Sequence, residues 1–224
     1  MKIKNEAELL DKFCDKAHVK KIFTEPFFNA EYGNVWSTNG FSLIQINPKV
    51  LIEEYPKKAV RLPMLECPCK KEITIEAINK ALDVCPKDEE EIVIQDAVEC
   101  EDCNGTGEVT LEYMDIHGHT HEHESDCPVC DGTGEIEPEK TKKTGKFITD
   151  EYAVINIGNA YFYAHTIIKL KFAMDFLRIT SVELTHNPER GANEFVLNDD
   201  VRIRLMPMLY DRLFPCDATI NLVD

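Results

Sequence analysis

Two nearly identical stretches constrain what this chain can fold into. Cys100–Val109 reads CEDCNGTGEV, and Cys127–Ile136 reads CPVCDGTGEI. Both carry C-x-x-C-x-G-x-G, so Cys100, Cys103, Cys127 and Cys130 stand as C-x2-C-x23-C-x2-C. Two residues between cysteines let one tight turn aim both sulfurs at one metal ion. Four thiolates match zinc's preference for four tetrahedral ligands. Gly105, Gly107, Gly132 and Gly134 permit the positive φ of a close reversal and leave room for backbone N–H groups to approach the sulfurs. The expectation is one structural zinc per chain, because four cysteine ligands leave no position open for a substrate. The nine cysteines make an odd count, and paired C-x-x-C spacing in a reducing cytosol favours metal over disulfides. Few large apolar residues surround the repeats, so metal binding has to supply much of their folding energy.

Charge separates this segment from the rest. The net charge is -16, yet Asp88 to Glu139 holds 18 Asp or Glu and no Lys or Arg. That leaves 23 of the 41 acids against all 25 basic residues elsewhere, close to neutrality. Phosphates are bound by Lys and Arg, so the cysteine-rich segment is unsuited to reading DNA. Between the two repeats, VTLEYMDIHGHTHEHESD alternates like a hairpin with its tip near Gly118.

The flanks read as α+β. A helix is expected over Glu6–Ala17, with Leu10, Phe13, Cys14 and Ala17 on one face. Strand-like runs PFFNAEY, NVWST and FSLIQINP follow, with a hairpin turn at Asn39-Gly40. A second helix runs from Thr74, an N-cap, through Leu82. EEIVIQDAV reads as a strand into the first cysteine pair, EPEKTKKTGK as a polar linker and YAVINIG as a strand. A third helix spans Ala164–Leu177 with two apolar groups, Ile167, Leu170, Met174 and Leu177, and Ile168, Phe172 and Phe176. SVELTH, EFVL and VRIRLMPML close the chain as strands. The expected organisation is a body over 1–62 and 145–224 with an insertion over 63–144, its zinc hairpin at about 97–138.

Other candidates have plainer alternatives. His117, His119, His121 and His123 would share one face of a strand, where a second metal could bind, or they simply make a polar hairpin tip. Cys67, Cys69 and Cys85 are a further metal set or ordinary thiols, and Cys14 belongs to a helix's apolar face; Cys216 has no assigned place. His18, His165 and His186 have no evident nucleophile partner. No Gly-rich phosphate loop, nucleophile elbow or H-E-x-x-H is present. No apolar run approaches the roughly 20 residues of a membrane span, and the N-terminus lacks a signal-peptide core. The expectation is a cytoplasmic protein that is not an enzyme and has no membrane partner.

The C-x-x-C-x-G-x-G repeats resemble the zinc motifs of DnaJ-type chaperones. That family has four repeats and a J domain with a His-Pro-Asp signature; this chain has two repeats and no such domain. The resemblance implies a zinc hairpin that binds protein. The flanks resemble a different family, the bacterial DNA sliding clamps (DNA polymerase III beta subunit). Ser37-Thr38-Asn39-Gly40-Phe41-Ser42-Leu43 is similar to the clamps' A-T-D-G-x-x-L, with Asn39 in place of Asp. Leu205-Met206-Pro207-Met208 resembles their M-P-M-R-L tail. The likeness covers roughly 5–50 and 150–208, about one clamp domain, and it implies helices packed on an antiparallel sheet. It implies double-stranded DNA contact through the body, with Lys12, Lys16, Lys20, Lys21, Lys169, Lys171 and Arg178 as phosphate-contact candidates. Met206, Pro207 and Met208 become candidates for a partner-peptide pocket. Replication or repair proteins are the implied partners; a ring would need six copies of the chain, a homo-oligomer, or else this is a clamp-like domain that does not encircle DNA. Two other readings stay open: a DnaJ-type protein-binding module with no DNA role, and an unrecognised enzyme.

Overall fold

The computed structural model describes residues 2–137, 140–210 and 215–223. The chain divides into two compact units, residues 1–87 with 149–224, and residues 88–148. In chain order the first unit opens with α1 (Glu6–Asp11), α2 (Lys21–Thr24), β1 (Phe27–Asn29), β2 (Asn34–Thr38), β3 (Ser42–Ile46), β4 (Lys57–Lys58), β5 (Pro68–Thr74) and α3 (Ile75–Val84). Then come β6 (Lys87–Gln95), β7 (Val98–Glu99), β8 (Glu108–Met114), β9 (Thr120–Asp126), β10 (Glu135–Glu137) and β11 (Lys140–Thr149). The first unit resumes with β12 (Val154–Ile157), β13 (Ala160–Tyr163), α4 (Ala164–Leu177), β14 (Ser181–His186), β15 (Asn193–Asn198), β16 (Val201–Leu205) and β17 (Ala218–Ile220). Helix and sheet are mixed, and sheet predominates.

An eight-stranded sheet, ordered β4-β1-β2-β3-β16-β15-β14-β5, forms the main layer of the first unit. Its central joint pairs β3 antiparallel with β16, Ile44 opposite Ile203 and Ser42 opposite Leu205. This pairing welds the N-terminal hairpin to the C-terminal meander. A smaller sheet, β13-β12-β17, covers the same core. Leu9, Leu10 and Phe13 near α1, Ile167, Leu170 and Met174 of α4, and Ile78 and Leu82 of α3 are buried in that one cluster with Ile44, Phe195 and Ile203. The second apolar group of α4, Ile168, Phe172 and Phe176, is half-buried at its margin.

Several expectations are corrected. The first helix stops at Asp11 rather than Ala17. Phe13 and Cys14 donate to Leu10 and Asp11 in tight turns, and the Asp15 amide then bonds the Phe23 carbonyl at 2.7 Å. That tertiary bond removes the donor a continuing helix would have used. Residues 63–87, expected within the insertion, belong to the first unit: β5 pairs with β14, Ile73 opposite Val182, and α3 buries Ile78, Ala81 and Leu82. Thr74 caps α3, its side chain accepting from the Ala77 amide at 3.2 Å. The stretch expected as a linker is strand β11 from Lys140, paired with β6. Lys143 reaches Glu89 at 3.4 Å and Lys146 reaches Glu90 at 3.0 Å, so the lysines of one strand offset acids of the other. Its hydrophilic composition concealed the strand because it is exposed over most of its length.

Among the described residues the second unit has three two-stranded sheets, β6–β11, β7–β10 and β8–β9. The last is a regular hairpin, Glu108 opposite Asp126 through Met114 opposite Thr120.

Candidate functional site

The two cysteine repeats fold as matching knuckles of the same hand. Gly105 N donates to the Cys100 carbonyl at 3.0 Å and Thr106 N to the Cys103 carbonyl at 3.1 Å; Gly132 and Thr133 repeat both bonds on Cys127 and Cys130. Thr106 Oγ1 then donates to the Cys103 carbonyl at 2.8 Å, and Thr133 Oγ1 to the Cys130 carbonyl at 2.6 Å. The knuckles also cross. Cys100 N bonds the Gly134 carbonyl at 2.8 Å, and Cys127 N bonds the Gly107 carbonyl at 2.7 Å. A Cβ on Gly107 would lie 2.3 Å from the Gly132 oxygen, and one on Gly134 would lie 2.4 Å from the Gly105 oxygen. Glycine is required at both positions by φ near +80° and by the opposing backbone.

This interlock gathers the four sulfurs. All lie within 4.8 Å of one another and all four cysteines are buried. The Cys100–Cys127 and Cys103–Cys130 sulfurs are each 3.8 Å apart. A disulfide would need about 2.05 Å. A tetrahedron with metal–sulfur bonds of ~2.3 Å has edges of ~3.8 Å. The Gly107 and Gly134 amides donate to Cys103 Sγ and Cys130 Sγ, both at 3.3 Å, supplying the outer hydrogen bonds that orient metal thiolates. Burial pushes the Cys100 thiol up to about 11. At Cys103 burial acts the same way but is outweighed by the Gly107 amide and neighbouring cysteines, which hold it at about 7. These four residues could hold a metal ion.

In the first unit the two stretches similar to clamp motifs come together. Asn39 Oδ1 accepts from the Phe41 and Ser42 amides at 3.1 and 2.8 Å and from Ser42 Oγ at 2.9 Å. Only an oxygen acceptor is needed there, so Asn in place of Asp preserves the turn. Because Ser42 faces Leu205, the chain leaving β16 runs beside that turn, and Met206 N donates to the Phe41 carbonyl at 2.8 Å. Between them lies an apolar groove of about 480 Å³, lined by Phe23, Thr38, Gly40, Leu43 and Met206 among others, with Arg190 and Arg204 also present. Trp36 lines it too, and its indole Nε1 is buried with no hydrogen-bond partner among the described residues. Leaving such a donor unsatisfied costs roughly 1–3 kcal/mol. Pro207 and Met208 are not part of this lining; the Met208 amide bonds the Tyr161 carbonyl instead.

The phosphate-contact candidates have varied surroundings. Lys169 is half-buried, its Nζ 3.3 Å from Ser42 Oγ, and burial with Lys12 nearby lowers its pKa. Lys12 lies over the Phe172 ring at 5.7 Å, Lys16 pairs with Asp11 at 2.7 Å, and Lys171 pairs with Asp175 at 2.5 Å. Lys20 and Lys21 begin α2, and Arg178 ends α4 with φ 57°. Among the described residues Cys67, Cys69 and Cys85 form no metal cluster. Cys69 and Cys85 donate to the Leu184 and Ala81 carbonyls, both at 3.2 Å. Cys14 contacts Ser37 Oγ at 3.0 Å, and Cys216 donates to the Ala218 carbonyl at 3.0 Å. Two features are not legible in the sequence: the groove's long-range walls, and Asp115, whose carboxylate meets the His119 and His121 rings. Its sequence signal is its place at the head of the Asp115-Ile116-His117-Gly118 turn.

No protein-family model matches the chain, and no curated protein matches it. Among solved structures it is similar to bacterial sliding clamps. The Caulobacter crescentus beta sliding clamp shows 11% identity and a TM-score of 0.40, covering 92% of this chain and 64% of the clamp. DNA polymerase III subunit beta from Borrelia burgdorferi shows 11% identity and a TM-score of 0.43, covering 94% and 62%. The Helicobacter pylori beta clamp bound to a DNA ligase peptide shows 9% identity and a TM-score of 0.42, covering 91% and 62%. The chain thus spans less than two thirds of these clamps' length. Likeness this loose assigns neither a family nor an activity. No helix among the described residues is long and apolar enough to cross a membrane.

Proposed function

We propose that this chain is a non-enzymatic, cytoplasmic, clamp-like protein carrying one structural zinc, an accessory or scaffold in DNA replication or repair. In this reading the groove beside Met206 takes short apolar peptide segments of replication or repair proteins. One observation carries it: two stretches from opposite ends of the chain, each similar to a clamp motif, line the same apolar groove. The orphaned Trp36 donor adds a reason for an occupant with a carbonyl or hydroxyl oxygen. Zinc is the metal of choice because the 3.8 Å sulfur separations match a zinc–thiolate tetrahedron, and zinc favours a closed four-cysteine set. The zinc hairpin is read as an inserted arm of DnaJ type. Double-stranded DNA, if bound, would meet the first unit, since 18 acids crowd Asp88–Glu139.

The test is fluorescence anisotropy with labelled peptides of six to eight residues bearing two or three large apolar side chains. Binding is expected in the micromolar range typical of such short segments, with Met206→Glu weakening it at least tenfold, about 1.4 kcal/mol. Equal binding by parent and variant would sink the groove reading. Native mass spectrometry with and without duplex DNA reports whether copies assemble. A second reading, a protein-binding module without a DNA role, is favoured by the hairpin's exposed Leu111, Tyr113, Met114 and Ile116. It predicts suppression of client aggregation that survives Met206→Glu.

A further inference from the structure

We propose that the tip of the β8–β9 hairpin is a second, exchangeable site for a divalent transition-metal ion, held by Asp115, His119 and His121. The turn builds the site around one carboxylate. Asp115 N donates to the His119 carbonyl at 2.9 Å, and Gly118 N to the Asp115 carbonyl at 3.0 Å. Gly118 takes φ +83°, which closes the turn. The Asp115 Oδ1 atom accepts from the His117 and His119 amides at 2.8 and 2.9 Å. The carboxylate is therefore fixed through one oxygen, and the other is left for outside partners.

That second oxygen collects two imidazoles. Oδ2 lies 3.3 Å from His119 Nδ1 and 3.1 Å from His121 Nε2. His121 is itself held, stacked on Tyr113 directly across the hairpin, with ring centroids 5.3 Å apart and planes 24° from parallel. The His117 ring lies 6.4 Å from that of His119, centroid to centroid. Two imidazoles and one carboxylate suit zinc, nickel or copper rather than calcium or magnesium, which prefer all-oxygen shells. The electrostatic setting favours a cation. Glu112 stands opposite Glu122 in the hairpin register, and like charges so placed repel.

This site differs physically from the cysteine site. Among the described residues only the cysteines have all their ligand atoms within 4.8 Å. The side chains of His119 and His121 are 74% and 47% exposed, so both must be ordered further when an ion binds. Ordering them on binding costs side-chain entropy, so the ion is held more weakly and exchanges.

The experiment is calorimetric titration of the full chain, its cysteine site already loaded with zinc, with nickel(II) and separately with zinc(II). One further equivalent is expected. Asp115→Asn keeps the turn's acceptor oxygen but removes the anionic ligand, and is expected to weaken this equivalent at least tenfold. His121→Ala should do the same, whereas His123→Ala should change it less than threefold. Zinc content of one per chain in every variant shows that the cysteine site has stayed folded. No further equivalent, or equal affinity in parent and Asp115→Asn, overturns the proposal, the latter by showing that histidines take up metal without a built site.

Discussion

Replacing Gly107 by alanine tests whether the crossed knuckles, and not the cysteine spacing alone, make the metal centre. The new Cβ would sit 2.3 Å from the Gly132 oxygen, a backbone atom that no side-chain rotation can move away. Bringing that contact to 3.0 Å displaces one knuckle by about 0.7 Å against the other, several times the ~0.2 Å tolerance of metal–ligand bonds. Positive φ adds ~1–2 kcal/mol for a residue with a Cβ. The same residue also donates to Cys103 Sγ. The expected result is a loss of zinc affinity of at least a hundredfold, about 2.7 kcal/mol, measured by competition with a chromophoric chelator. Gly145→Ala is the control, because it shares positive φ but meets nothing within 4 Å. It should cost stability of the same small strain and leave zinc affinity unchanged. If Gly107→Ala holds zinc within threefold of the parent, the interlock is not what positions the ligands and the argument from backbone approach is wrong.

Two further outcomes test other parts of the structure. Cys100→Ser or chelation should remove the proposed zinc and collapse the amide dispersion of residues 88–148 in NMR, while resonances of Leu9, Ile44 and Ile203 stay in place; global unfolding would contradict a core held in one cluster of the first unit. Burial, and then the hydrogen bond to Glu6, raises the Tyr55 phenol above its ordinary value. The folded state keeps this proton longer, so the associated stability is present below pH ~10 and declines as pH rises beyond it. Urea midpoints of the parent should therefore fall more steeply above pH 10 than those of Tyr55→Phe, and parallel profiles would refute the coupling.

Local patterns were legible where local physics decides. The helix Ala164–Leu177 was readable end to end, because its apolar residues recur at helical spacing and it buries them. Thr74 was readable as a cap because a hydroxyl before a helix has one nearby amide to satisfy. The end of α1 was not, since the bond that terminates it comes from Phe23, beyond the reach of any periodicity. Strand β11 was hidden for the same reason. Lys140–Thr149 is polar, and only its partner β6 makes it a strand.

The same division runs through the candidate sites. By itself the sequence determined which four cysteines could hold a metal ion and the need for glycine beside them, because a C-x-x-C knuckle is a turn of a few residues whose geometry is set within it. The tertiary structure decided that the glycines of one knuckle make room for the backbone of the other, a contact between turns that spacing does not encode. It also decided that the Asn39-Gly40 turn and Met206 share a groove, because only the β3–β16 pairing brings the chain's two ends side by side. Asp115 belongs to the same class. Its residue type announces a turn, but which atoms of its carboxylate are spent on amides and which are left for histidines depends on how the hairpin closes.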